Sequence, residues 1–141
     1  MTVLDEFTND EYKDQDWYQD MIDFHIEVMN DDIQPFPQIP SDTVKTLRKS
    51  LIIEEVAETL KAMDEDDMVE VADGIVDSIV VLIGTAVAYG IDIRPLWIEV
   101  FKNNMSKKDG PMREDGKKMK PEGWKPPDIK KLLEEQGWIE L

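Results

Sequence analysis

The chain has 141 residues, 34% of them charged, no cysteine and a net charge of −16. That length suits one domain with its own core, the absence of cysteine excludes disulfides and thiolate metal sites, and the acidic balance disfavours nucleic acid as a partner. No apolar leader follows a basic start, and the longest charge-free stretch, Ser78 to Ile91, falls short of the roughly 20 apolar residues of a membrane span, so the expected setting is the cytoplasm, with no membrane contact.

Trp17, Met21, Phe24 and Val28 recur at helical spacing, which predicts a first amphipathic helix over Asp10–Asn30 with these four as its core stripe. Asp31–Pro40 contains Pro35, Pro37 and Pro40 and is expected to be extended. Ser41 or Asp42 offers an N-cap for a second helix reaching about Met63, and Asp64–Asp67 is a polar turn. A third, almost wholly apolar helix runs from about Met68 to Tyr89, with Gly90 in the C-terminal capping place, and belongs at the centre of the fold.

Pro95 suits the first turn of a fourth helix ending near Met105, with Leu96, Trp97, Val100 and Phe101 as its buried side. The next segment, about 106–127, is rich in Gly, Pro and Lys and is predicted to be irregular. Charge changes sign here. Residues 1–100 hold 6 basic and 24 acidic side chains, whereas Lys102–Lys125 holds 8 basic and 4 acidic ones. This basic stretch is either a solvated loop or the one part of the chain suited to a polyanion. Asp128–Gln136 reads as a short last helix stopped by Gly137. The expected fold is all-α, a single-domain antiparallel bundle of about four core helices plus a short C-terminal helix.

The second helix carries Glu54, Glu55 and Glu58 towards one side, and the third carries Glu70, Asp73 and Asp77 as its only charges, at spacings of three and four. An acidic stripe on a greasy helix is either a solvent-facing line or an inward-facing anion cluster. The short turn makes the two helices antiparallel neighbours, and counting back from it brings Glu55 and Glu58 to about the height of Glu70 and Asp73. Two like charges about 4 Å apart repel by about 4 kcal/mol at an effective dielectric near 20, so convergence calls for a cation. All-oxygen ligands select Mg²⁺, with Mn²⁺ able to substitute.

These blocks resemble the MazG-like all-α nucleoside triphosphate pyrophosphohydrolases, most closely the small dUTPase-like and phosphoribosyl-ATP pyrophosphohydrolase-like branch. The pattern E-E-x-x-E then E-x-x-D stands as Glu54-Glu55-Val-Ala-Glu58 and Glu70-Val-Ala-Asp73, followed by Gly84-Thr-Ala-Val-Ala-Tyr-Gly-Ile-Asp92 and Asn103-Asn-Met-Ser-Lys107. The resemblance implies that Glu55, Glu58, Glu70 and Asp73 are metal ligands, that Glu54 and Asp77 are further ligands or activate water, and that Asn104 and Lys107 meet the nucleotide. It also implies a homodimer or higher homo-oligomer acting on a nucleoside triphosphate, with dUTP as the leading candidate and nucleoside monophosphate and pyrophosphate as products.

Lys117, Lys118, Lys120 and Trp124 are candidate substrate contacts from charge and stacking potential alone. Gly74, directly after the E-x-x-D block, costs up to about 1 kcal/mol in a helix and marks either close helix packing or a bend. His25, the only histidine, is expected to be structural, and Trp17, Trp97 and Trp138 to be packing or dimer contacts. Two rival readings remain, a non-enzymatic acidic protein that mimics nucleic acid or binds a basic partner, and a relative that keeps nucleotide binding without catalysis.

Overall fold

The computed structural model describes residues 12–141, so Asp10 and Glu11, at the start of the expected first helix, lie outside the described residues. Among the described residues there are five helices and no strand: α1 (Trp17–Glu27), α2 (Asp42–Asp64), α3 (Met68–Ala88), α4 (Ile93–Met105) and α5 (Ile129–Glu135). The all-α expectation holds.

The ends follow local chemistry. Asp16, Ser41, Asp67, Asp92 and Asp128 each cap a helix by accepting a backbone N–H from the first turn. Gly90 ends α3 with φ +70, and a Cβ there would stand 2.2 Å from the Phe36 carbonyl oxygen. Only glycine satisfies both conditions.

Helices α2 and α3 form an antiparallel pair, and α1 packs across α3. The apolar centre gathers Met21, Ile83 and Val87, with Tyr18, Ile22, Ile33, Ile79 and Ile93 packed against it. This corrects the stripe expected on α1. Met21 is buried, but Trp17 (55%), Phe24 (41%) and Val28 (66%) are exposed, and the residue one turn on from Met21 that does go inside is His25. The helix is rotated because His25 has polar partners within the fold.

His25 Nδ1 lies 3.0 Å from Asp31 Oδ2. Arg48, also buried, donates from Nε to Thr85 Oγ1 at 3.1 Å and from Nη2 to the Val81 carbonyl at 2.8 Å. A Cβ on Gly84 would lie 2.6 Å from Arg48 Nη2 and 3.0 Å from His25 Nε2, so this glycine makes the room in which α1, α2 and α3 meet. Burial pulls the His25 pKa below its ordinary 6.5, with Asp31 opposing and Arg48 assisting. The unfolded chain therefore binds the proton first, and the contribution of neutral His25 to stability is lost as pH falls below about 6.5. Thermal melts should show the wild type losing more Tm between pH 7 and 5 than His25→Gln does, and equal losses would disprove the assignment.

By length and composition α3 could cross a bilayer, although Asp73 and Asp77 would each cost roughly 3 kcal/mol near its centre. Helix α4 departs most from expectation. None of its residues is buried, and the intended inner side is open, with Trp97 at 71% and Phe101 at 54% exposure. Its first turn is held by Arg94, which pairs with Asp16 at 2.7 Å and Asp92 at 2.8 Å and lies over the Tyr18 ring. Beyond that turn nothing among the described residues lies against its apolar side chains closely enough to bury them. Segment 106–127 is irregular as expected, apart from one isolated bridge between Met112 and Lys118. Of the tryptophans expected to pack, Trp138 is half-buried, and Trp17 and Trp97 are exposed.

Candidate functional site

Helices α2 and α3 pack tightly where Thr59 faces Gly74. A Cβ on Gly74 would stand 2.4 Å from Thr59 Oγ1 and 3.1 Å from Thr59 Cα, so of the two readings of this glycine the close packing is the one observed. Thr59 Oγ1 donates to the Glu55 carbonyl at 2.8 Å and lies 3.3 Å from Ser78 Oγ. Sequence reasoning passed over Thr59 and Ser78, and took Arg48 only as the start of the flank Arg48-Lys-Ser-Leu-Ile-Ile before the first acidic block. The available signal was small or hydroxyl residues in mid-helix beside a glycine.

These contacts set the register, with Thr59 level with Gly74 and Arg48 level with Thr85. Glu55 then lies level with Asp77 and Ser78, and Glu58 lies between Asp73 and Asp77. Glu70 sits about 7 Å nearer the turn than Glu58 at 1.5 Å per residue. The expected height match thus shifts from Glu70 to Asp77. Glu70 occupies the first turn of α3, where its backbone N–H meets the Asp67 cap at 3.2 Å.

Glu55 is the most perturbed of these acids. Its Oε2 is buried without a hydrogen-bond partner. Desolvation first, and then Glu58, Asp77, Glu54 and Asp73, push its carboxyl above the ordinary carboxylate value. Acids from both helices therefore act on one another at the crossing. Among the described residues, no three His, Asp or Glu side chains are gathered at metal-ligand distance, as expected of like charges that spread until a cation lies between them. An orphaned, desolvated carboxylate oxygen amid hard oxygen donors fits a divalent cation such as Mg²⁺.

The expected substrate contacts gather elsewhere, around Trp124 at the end of α4. Lys107 Nζ lies 5.5 Å and Lys120 Nζ 4.5 Å from the Trp124 ring centre. Lys107 also donates to Asn104 Oδ1 at 3.0 Å, and Trp124 Nε1 donates to the Asn103 carbonyl. A cavity of about 400 Å³ lies beside the ring, lined by Ser106, Pro121, Gly123 and Lys125 among others. The side chain of Lys117 does not join this cluster, its backbone N–H instead meeting Asp115. No hydrogen bond or ion pair joins the cluster to Glu54, Glu55, Glu58, Glu70, Asp73 or Asp77 of the same chain among the described residues.

No individually curated protein matches the chain. A family model does, that of phosphoribosyl-ATP pyrophosphohydrolase, over residues 21–104, a stretch that spans α1 from Met21, the whole of the α2–α3 acid crossing and nearly all of α4. With the acidic blocks and their helical frame inside that stretch, the chain belongs to the phosphoribosyl-ATP pyrophosphohydrolase family, within the MazG-like all-α superfamily, and its activity class is that of a pyrophosphohydrolase acting on a nucleotide phosphate.

Proposed function

We propose that the protein hydrolyses a nucleoside or deoxynucleoside triphosphate, dUTP foremost, to the nucleoside monophosphate and pyrophosphate in the presence of Mg²⁺, with Mn²⁺ as a substitute. The observation that carries this reading is the unsatisfied Glu55 oxygen at the α2–α3 crossing, crowded by acids of both helices in a pyrophosphohydrolase frame.

Glu55, Glu58, Glu70 and Asp73 would hold the cation. Such an ion supplies Lewis-acid chemistry, making water a better nucleophile and neutralising charge on the phosphoryl and leaving oxygens. Asp77, level with Glu55, accepts the proton of the attacking water, and Glu54 is its alternate. The new bond joins the water oxygen to the α-phosphorus, and the bond from that phosphorus to the bridging oxygen breaks, so the electron pair leaves with pyrophosphate. Thr59 and Gly74 keep the two acidic helices close enough for one substrate to meet both. Lys107 and Lys120 neutralise the leaving end, Asn104 donates a hydrogen bond to it, and Trp124 offers a face for the base.

A second substrate, phosphoribosyl-ATP, is favoured by the description of the matching family. The test is pyrophosphate release from a panel of dUTP, the other common nucleoside and deoxynucleoside triphosphates and phosphoribosyl-ATP with Mg²⁺. Release from dUTP ahead of the rest is expected. Preference for phosphoribosyl-ATP would support the second substrate, and no release from any would refute the hydrolase reading in favour of a nucleotide-binding or partner-binding protein.

A further inference from the structure

In the basic arm that follows α4, Trp124 is fixed while the cations lying over it are not. Its backbone N–H meets the Pro121 carbonyl at 3.2 Å, its Nε1 donates to the Asn103 carbonyl, and Asn103 Nδ2 in turn donates to the Lys125 carbonyl at 2.7 Å. The ring is thereby strapped to the end of α4. Lys120 Nζ, 4.5 Å from the ring centre, makes no hydrogen bond or ion pair among the described residues, and Lys107 Nζ, at 5.5 Å, has the Asn104 side chain as its one further partner. Lys120 is delivered there by a short hairpin, closed by the Met119 N–H on the Pro111 carbonyl at 2.7 Å and packed so tightly on Gly110 that a Cβ there would collide with the Met119 carbonyl. Lys120 and Trp124 both lie beyond residues 21–104, the stretch that the family describes.

A base stacked on an aromatic ring sits with the two ring centres about 4.5–7 Å apart, and both ammonium groups already occupy that range of distance. Base and lysines therefore compete for the ring. An exposed cation–π pair is worth roughly a factor of two to five in a binding constant, whereas a hydrogen bond to a charged group is worth more than about tenfold. A polyphosphate thus draws the lysines away, and a base alone does so poorly. Beside the ring there is room for a nucleoside, a cavity of about 400 Å³ on the side where Gly123, with φ +78, has nothing within 4 Å of a Cβ position.

We propose that Lys107 and Lys120 mask Trp124 until a polyphosphate lifts them off, so that the ring is offered to a base only when that base arrives on a phosphate chain. Trp124 and Lys120 then set specificity, favouring a nucleoside triphosphate over the free nucleoside and over a product that has lost its pyrophosphate. The masking stands on the ring and its two lysines, and its use in choosing a substrate rests on the hydrolase reading above.

The four tryptophans give four indole N–H signals in an NMR spectrum, and the one missing from Trp124→Phe reports on this ring in the otherwise unaltered chain. Inorganic tripolyphosphate with Mg²⁺ should move that signal in wild type. Deoxyuridine, a fair probe because every base has a face to stack, should then bind roughly fivefold more tightly than without tripolyphosphate, and tripolyphosphate should gain by the same factor from deoxyuridine. Lys107→Met with Lys120→Met should bind deoxyuridine roughly fivefold more tightly than wild type, and should bind a dUTP analogue with a non-hydrolysable α,β-imido bridge more than about tenfold more weakly. Those opposite signs separate masking from a loss of structure, which weakens both. An equal deoxyuridine Kd in wild type and the lysine variant, or one that tripolyphosphate leaves unchanged, would overturn the proposal. None of these ligands has to be cut, so if wild type releases no pyrophosphate the hydrolase reading fails and the coupling still decides the masking.

Discussion

Glu58→Gln should release pyrophosphate more than about 100-fold more slowly than wild type, the loss typical of disturbing a partner of a metal ligand being taken as a lower bound, and yet should melt higher in chelator. The two effects have one cause. Glu58 has Glu54 and Glu55 one turn back on α2 and Asp73 and Asp77 across the crossing, and it raises the Glu55 pKa by its charge. Without a cation that charge is only repulsion, so an isosteric amide relieves it and raises Tm by roughly 2 °C, given the few tenths of a kcal/mol that like-charge helix neighbours cost.

With a divalent ion the order reverses. A cation at about 100 times its Kd stabilises the wild type by about 2.7 kcal/mol, or roughly 8 °C for a chain of this size, and the variant gains far less. Melts of both proteins with EDTA, Mg²⁺ and Mn²⁺, alongside the activity assay, check this. A variant as active as wild type, or one that gains equal stability from Mn²⁺, would remove Glu58 from the site. Shifts that follow ionic strength without saturating would favour the acidic-mimic reading.

Gly74→Val should cost about 3 kcal/mol, near 10 °C in Tm, and weaken the metal response of whatever folds. The helix itself gains from losing a glycine, by up to about 1 kcal/mol in the case of alanine. Packing decides the net sign. A Cβ at 74 meets Thr59 at its Oγ1, Cβ and Cα, and the last of these is backbone that no rotamer change removes. The helices must separate, and the acids one turn either side separate with them. A double-mutant cycle isolates the contact, because Gly74→Ala should cost about 1 kcal/mol less on a Thr59→Gly background than on the wild type. If both backgrounds respond alike, the crossing is not held where we place it.

The helix ends were legible in the chain because they depend on neighbours a few residues away. Ser41 before α2, Asp67 before α3, Gly90 after it and the prolines at 35, 37 and 40 each act through a backbone group within one turn. The acids were legible as a stripe for the same reason, since spacing along one helix fixes which side they share. Which side faced inward was not. The inner stripe of α1 was read as Trp17, Met21, Phe24 and Val28, whereas Asp31 and the space over Gly84, six and 59 positions away from His25 in sequence, bring His25 inside.

Sequence by itself therefore determined the element order, the acid pattern and the basic arm. Tertiary structure alone decided the heights of α2 and α3, which bring Asp77 level with Glu55, and the exposure of α4. The reason is that capping and periodicity are short-range, whereas register depends on one close contact, Thr59 on Gly74, and one buried cation, Arg48 against Val81 and Thr85. Neither leaves a periodic trace in the chain.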